Sequence, residues 1–262
     1  HETKWPFLAT VALIIMFIGL ANYMNDESNL TLTYTGLALL LLVVYGWFSY
    51  VVNESEGGLY DAQVDMSFRW GMAWFIFSEV MFFAAFFGAL YYARELSLPW
   101  LAGEGSKVST NQELWPRFEN VWPSNGPANV GGEFIVMKAA GIPALNTIIL
   151  LISGLTVTWA HHGLKEGKRN QLILGLTATV LLGFIFVGFQ AYEYSHAYND
   201  LNLKMTSGMY GSTFYMLTGF HGFHVTLGAI MLTVILFRCI RGHFTNENHF
   251  GFGDIRVTEN AQ

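Results

Sequence analysis

Six apolar stretches, each long enough to cross a bilayer as a helix, constrain this chain more than any other feature. About 20 residues rising 1.5 Å each span a hydrocarbon core roughly 30 Å thick. The stretches are Trp5–Met24, Leu32–Val52, Phe68–Arg94, Pro143–His161, Gln171–Ser195 and about Ser212–Arg238. A backbone in lipid must satisfy its own N–H and C=O groups, so each stretch is expected as helix. The fold class that follows is all-α, a polytopic transmembrane helix bundle. Composition agrees: 12% of residues are charged, about half the share in soluble domains, and 53% are hydrophobic.

A net charge of -6 removes nucleic acid as a partner, because that surface must be basic. The single cysteine, Cys239, excludes a disulfide within the chain and any cysteine-rich metal site. The first stretch is too long for a secretory signal and has no small-residue cleavage site before Asn25. The chain reads as one transmembrane domain, 1–262, made of a two-helix bundle (1–52) and a four-helix bundle (68–252). Between the third and fourth stretches the segment 95–142 carries Pro99, Pro116, Pro123 and Pro127 and reads as an ordered external loop. Trp47, Phe48 and Tyr50 close the second stretch as an aromatic girdle at the membrane boundary.

Lys and Arg in the short loops set the orientation. With the N-terminus inside, Lys4, Arg69, Lys165, Lys168, Arg169, Arg238 and Arg241 all lie on the inner side. The short outer loops then hold only Lys204. A cytoplasmic N-terminus is expected.

Glu79 lies in the middle of the third stretch, where an acidic group is costly and seldom lacks a role or a partner. It reads either as a structural carboxylate hydrogen-bonded to a neighbouring helix, or as part of a proton, ion or lipid function. It is the one acidic residue inside its helix, and no histidine is placed by spacing to join it. The remaining candidate ligands are Glu193, His161, His162, His196, His221 and His224. Glu193 and His196 repeat the i, i+3 spacing of di-iron helix bundles, and His221 and His224 repeat it with two imidazoles. His161 and His162 fall at the inner face and Glu193 and His196 at the outer face, on the order of 30 Å apart. They cannot share one metal. A stand-alone membrane metal oxidase built on Glu193, His196, His221 and His224 stays open as an alternative. A hydrogen-bonded polar cluster between the fifth and sixth stretches competes with it. A transporter with Glu79 as relay has no inverted repeat or broken helix pair behind it.

Four segments, FSEVMFFAAFFGALYYAR, LNTIILLISGLTVTWAHHGL, FQAYEYSHA and STFYMLTGFHGFHVTLGAI, carry a resemblance. Together they are similar to subunit III of the haem–copper (aa3-type) cytochrome c oxidase, and the chain is identified with its bacterial form. The resemblance implies an accessory subunit without a catalytic residue of its own. Haem a and copper are then expected in partner chains, subunits I and II. It implies support of electron transfer from cytochrome c to oxygen, of proton uptake and of proton pumping, in a bacterial inner membrane. It also implies that the first two helices are separated from the rest by a cleft filled with phospholipid.

By position, Glu79 matches the family's membrane carboxylate, and Arg238 matches the arginine that meets cleft lipid. Trp47 matches the first of a tryptophan pair at the cleft, and Phe48 stands where the second would be. The lipid-binding set implied is therefore Trp47, Phe48, Glu79 and Arg238, with no metal in this chain. His161, His162, Glu193, His221 and His224 match positions of structural role. The family's seventh helix has no counterpart in residues 253–262, GDIRVTENAQ, which are polar and too short to cross.

Overall fold

A computed structural model describes residues 3–25 and 29–241. Its elements are α1 (Trp5–Met24), α2 (Thr31–Glu56), α3 (Ala62–Tyr92), α4 (Leu98–Leu101), α5 (Val108–Leu114), α6 (Ile142–Lys165), α7 (Arg169–Asn199) and α8 (Gly208–Arg241). No strand occurs among the described residues. Among the described residues six helices are long and apolar enough to cross a membrane, as the six stretches predict. The polar tail 253–262, which stands where the resemblance puts a seventh helix, lies outside the described residues.

The third span is longer than expected. It runs from Gln63 to Leu101 without a break in spanning character, so the long connection starts after Leu101 rather than at Glu95. Arg94 and Glu95 pair with each other at 3.5 Å on the exposed surface and do not end the helix. Pro99 explains the irregularity between α3 and α4. Its ring crowds the carbonyl four residues back and its nitrogen donates nothing. The turn Ala93–Ser97 widens to π geometry just there.

The chain divides into two compact units, His1–Ser67 and Phe68–Gln262. In the first, α1 and α2 cross where each lacks a side chain. A Cβ on Gly36 would collide with the backbone of Met16, and one on Gly19 with the backbone of Thr33. Lipid tails give helices no hydrophobic reason to associate, so close approach through small residues supplies the attraction instead.

In the second unit α6 and α7 form an antiparallel hairpin on the same principle. A Cβ on Gly175 would lie 2.8 Å from the Cβ of Ala160, and one on Gly163 would lie 3.0 Å from the Leu172 nitrogen. The hydroxyls of Thr156 and Thr179 meet at 2.7 Å across the seam. Val157, Ala160, Leu164, Leu172, Leu176, Val180, Leu232, Ile235 and Cys239 make one buried cluster that brings in α8. Ile149, Phe186 and Val225 make a second, nearer the opposite end. At the α6–α7 turn, the Arg169 guanidinium donates to the Ile240 carbonyl at 2.7 Å, satisfying an open carbonyl of the last turn of α8.

The long connection is ordered by the α7–α8 turn. The Asn202 amide donates to the carbonyls of Gly131 (3.0 Å) and Glu133 (2.9 Å), and the Ile135 N–H donates to the Leu201 carbonyl. Asn202 has φ 50°, a left-handed conformation that asparagine tolerates better than most residues. Tyr215 donates to the Leu203 carbonyl at 2.6 Å and holds the same turn against α8.

Candidate functional site

Glu79 sits on the face of α3 that meets α8. Its Oε2 lies 3.0 Å from Nε2 of His224, the two side chains being 31% and 18% exposed. The expectation that no histidine joins Glu79 is therefore overturned. Spacing within one helix cannot reveal a partner contributed by another, 145 residues later in the chain. An imidazole N–H donating to a carboxylate gives an acidic group in lipid the partner it requires.

Aromatic rings surround this pair. Phe82 of α3 packs on Phe220 of α8, with centroids 4.7 Å apart. The His224 ring lies 6.1 Å from Phe83, 6.1 Å from Phe223 and 6.5 Å from Phe220. The phenylalanines of the third span thus do two jobs, contact with α8 and exposure to the surroundings. Phe75 and Phe87 are 55% and 61% exposed.

The four residues of the metal-oxidase alternative are not brought together. His224 is turned to Glu79, and His196 Nδ1 pairs with Asp200 at 2.6 Å. His221 packs edge-on against Phe186, with centroids 5.7 Å apart. Glu193 is buried, at 7% exposure, on the stripe of α7 that includes Phe186. Among the described residues no three His, Cys, Asp or Glu side chains are placed to hold a metal ion. A polar contact does join the fifth and sixth spans, but through the Tyr194 and Thr218 hydroxyls, 2.7 Å apart, rather than through these four side chains. The signal missed was Asp200, one helical turn beyond His196.

The other expected site residues lie on α2, α6 and α8. Trp47 is half-buried and Phe48 is 63% exposed in the second half of α2. Beside them the Trp5 ring covers Gly46, where a Cβ would lie 2.6 Å from the indole. Arg238 is half-buried in the last turn of α8, next to buried Cys239. His161 is buried at the C-terminal end of α6, and His162 is exposed.

Outside the spans, two groups among the described residues depart from their ordinary titration. Burial, reinforced by donation to Glu54 at 3.0 Å, pushes the Tyr60 phenol up to about 12. The Lys168 ammonium, 2.6 Å from Glu166, holds that carboxyl below the usual range on the exposed α6–α7 turn.

Comparison with known proteins gives the same answer throughout. The family model described as cytochrome c oxidase subunit III matches residues 1–109 and 110–257. Cytochrome c oxidase subunit 3 of Tetraodon nigroviridis is 41% identical over 251 residues, covering 95% of this chain and 85% of that protein. The proteins of the same name from Gadus morhua and Squalus acanthias are also 41% identical, with the same coverage. All three relatives are from fish, so they speak for the family and not for a specifically bacterial form.

Proposed function

Since the chain belongs to the cytochrome c oxidase subunit III family, we propose that it works beside subunits I and II as their lipid-binding support. Membership makes it an accessory subunit of that oxidase and so a component of an oxidoreductase complex. The reading adds that haem a and copper sit in the partner chains, where electrons pass from cytochrome c to oxygen. It adds that this chain sustains proton uptake and the lifetime of the active site. It treats 1–262 as one transmembrane domain in an inner membrane of bacterial type. There the ends carrying Lys4, Lys165 and Lys168 face the cytoplasm.

The proposed phospholipid contacts are Trp47 and Phe48 on one unit, and Glu79 and Arg238 on the other. Phe48 and the exposed rings of α3 offer acyl chains an apolar surface. The Arg238 side chain can run its apolar stem along α8 and set its guanidinium against a lipid phosphate. The observation that carries the reading is the family match over both 1–109 and 110–257, with six helices among the described residues long and apolar enough to cross a membrane.

The oxidase purified with and without this subunit tests it. Without the subunit the enzyme is expected to turn over at first and then inactivate sooner, with unchanged haem absorption. An unchanged lifetime would count against the reading. Native mass spectrometry of the intact complex carrying Arg238→Ala should show fewer retained phospholipids, and equal retention would remove Arg238 from the site.

A further inference from the structure

Two buried side chains of the α6–α7 seam have polar atoms that no group of the protein satisfies. Both amide atoms of Asn146 on α6 and Oε1 of Glu193 on α7 lack a hydrogen-bond partner. Asn146 is 4% exposed and Glu193 7%. Native structures seldom leave buried polar atoms in this condition, because each loses its water without compensation.

Helical periodicity puts both residues on the seam. Asn146 continues the buried stripe Ile149, Ser153, Val157, Ala160 and Leu164 of α6. Glu193 continues the stripe Leu176, Thr179, Gly183 and Phe186 of α7. The antiparallel register is set by contacts of Thr156 with Thr179 and of Ala160 with Gly175. Extended towards the start of α6, it sets Asn146 level with Phe189, four residues or about 6 Å short of Glu193. Side chains on a helix lean towards its N-terminus. The helices run oppositely, so Asn146 leans towards the level of Glu193 and Glu193 leans back towards the level of Asn146. Ile149 and Phe186, on the same two stripes, belong to a buried apolar cluster with Val225.

We propose that Asn146 and Glu193 together bind one buried water molecule between α6 and α7. The Asn146 amide offers the water a donor and an acceptor, and Glu193 Oε1 accepts from it. That makes three hydrogen bonds, the usual complement of a structural water. The bridge fastens the hairpin at its open end, away from the α6–α7 turn, and its polar atoms are all supplied by this chain. Nothing in it depends on the lipid contacts proposed above.

A high-resolution cryo-EM map of the intact oxidase complex tests the assignment. A single ordered water about 3 Å from both the Asn146 amide and the Glu193 carboxyl is expected. The assignment falls if the two side chains bond directly to each other, or if either turns to lipid or to a neighbouring chain. Thermal unfolding of the complex with Asn146→Leu, Glu193→Leu and the double variant provides a second reading. Each single change should lower Tm, and the double should lower it by less than the two together, because either one already breaks the bridge. Additive losses would overturn the proposal. Should a variant fail to assemble, the map of the unaltered complex decides.

Discussion

The carboxylate of Glu79 and the imidazole of His224 lie 3.0 Å apart, joining α3 to α8 within the spanning part of the chain. Interhelical hydrogen bonds in lipid average about 0.6 kcal/mol and reach about 1.7 kcal/mol. Removing only one partner should cost more than that, since a polar group is then left buried without its mate. Glu79→Leu and His224→Leu are each expected to lower the thermal stability of the complex by about 1 to 2 kcal/mol. The double variant should lose less than the sum of the two, with the haem spectrum unchanged. Additive losses, or a changed haem signal, would show that the pair does not act as a unit.

The α6–α7 hairpin depends on backbone proximity, and two glycines in it give opposite expectations. Gly175→Ala drives a methyl to 2.8 Å from Ala160 and should destabilise by about 1 to 3 kcal/mol. Gly188 has nothing within 4 Å of the same position, so Gly188→Ala should be neutral or stabilise by up to about 1 kcal/mol through helix propensity. Thermal unfolding of the two variants side by side checks the contrast, and equal effects would contradict the close crossing.

Asn202 holds the long connection with two hydrogen bonds from one amide while its own backbone is left-handed. Asn202→Ala gives up both bonds, roughly 1 kcal/mol each, and puts alanine at an unfavourable φ. Limited proteolysis should then cut between residues 102 and 141 faster than in the unaltered protein. Asn202→Gly should restore the backbone without restoring the bonds and fall between the two.

Tyr60 predicts a titration at high pH. Its phenol moves from 10.0 to about 12, first through burial and then through the hydrogen bond to Glu54. The neutral form is the one favoured in the folded chain. Its contribution is therefore complete below pH 10 and is lost as the pH rises through about 12. Difference spectroscopy of phenolate absorption, the unaltered protein against Tyr60→Phe, should find one phenol ionising near 12. Glu54→Gln should bring it down, and a Tyr60 transition staying in place would exclude Glu54 as a cause.

Much of this was legible in the chain because lipid admits so few backbone solutions. Twenty apolar residues in a row can hardly be anything but a crossing helix, so the six spans follow from length alone. The end of the third span is obscured in the sequence because Arg94 and Glu95 look like a boundary, although paired charges on a helix surface do not break it. The partners of polar residues were harder. His224 lies three residues from His221, a spacing that suggests a pair, whereas α3 supplies the partner of His224 from a distant part of the chain. Asp200, by contrast, was within reach of a sequence reading, one turn from His196. Local periodicity tells which face a residue occupies and says nothing of which helix will stand opposite.

The third span buries none of its most hydrophobic window within the chain, whereas that of α7 is 39% buried. Its aromatic surface is thus left for the surroundings to solvate. The free energy that keeps α3 upright belongs in part to the solvent, be it acyl chain or protein neighbour. Detergent exchange is accordingly a chemical perturbation of this helix as real as a substitution in it. A preparation stripped of its native lipid should loosen first at α3, and the carboxylate it carries would then go astray before any helix has unwound.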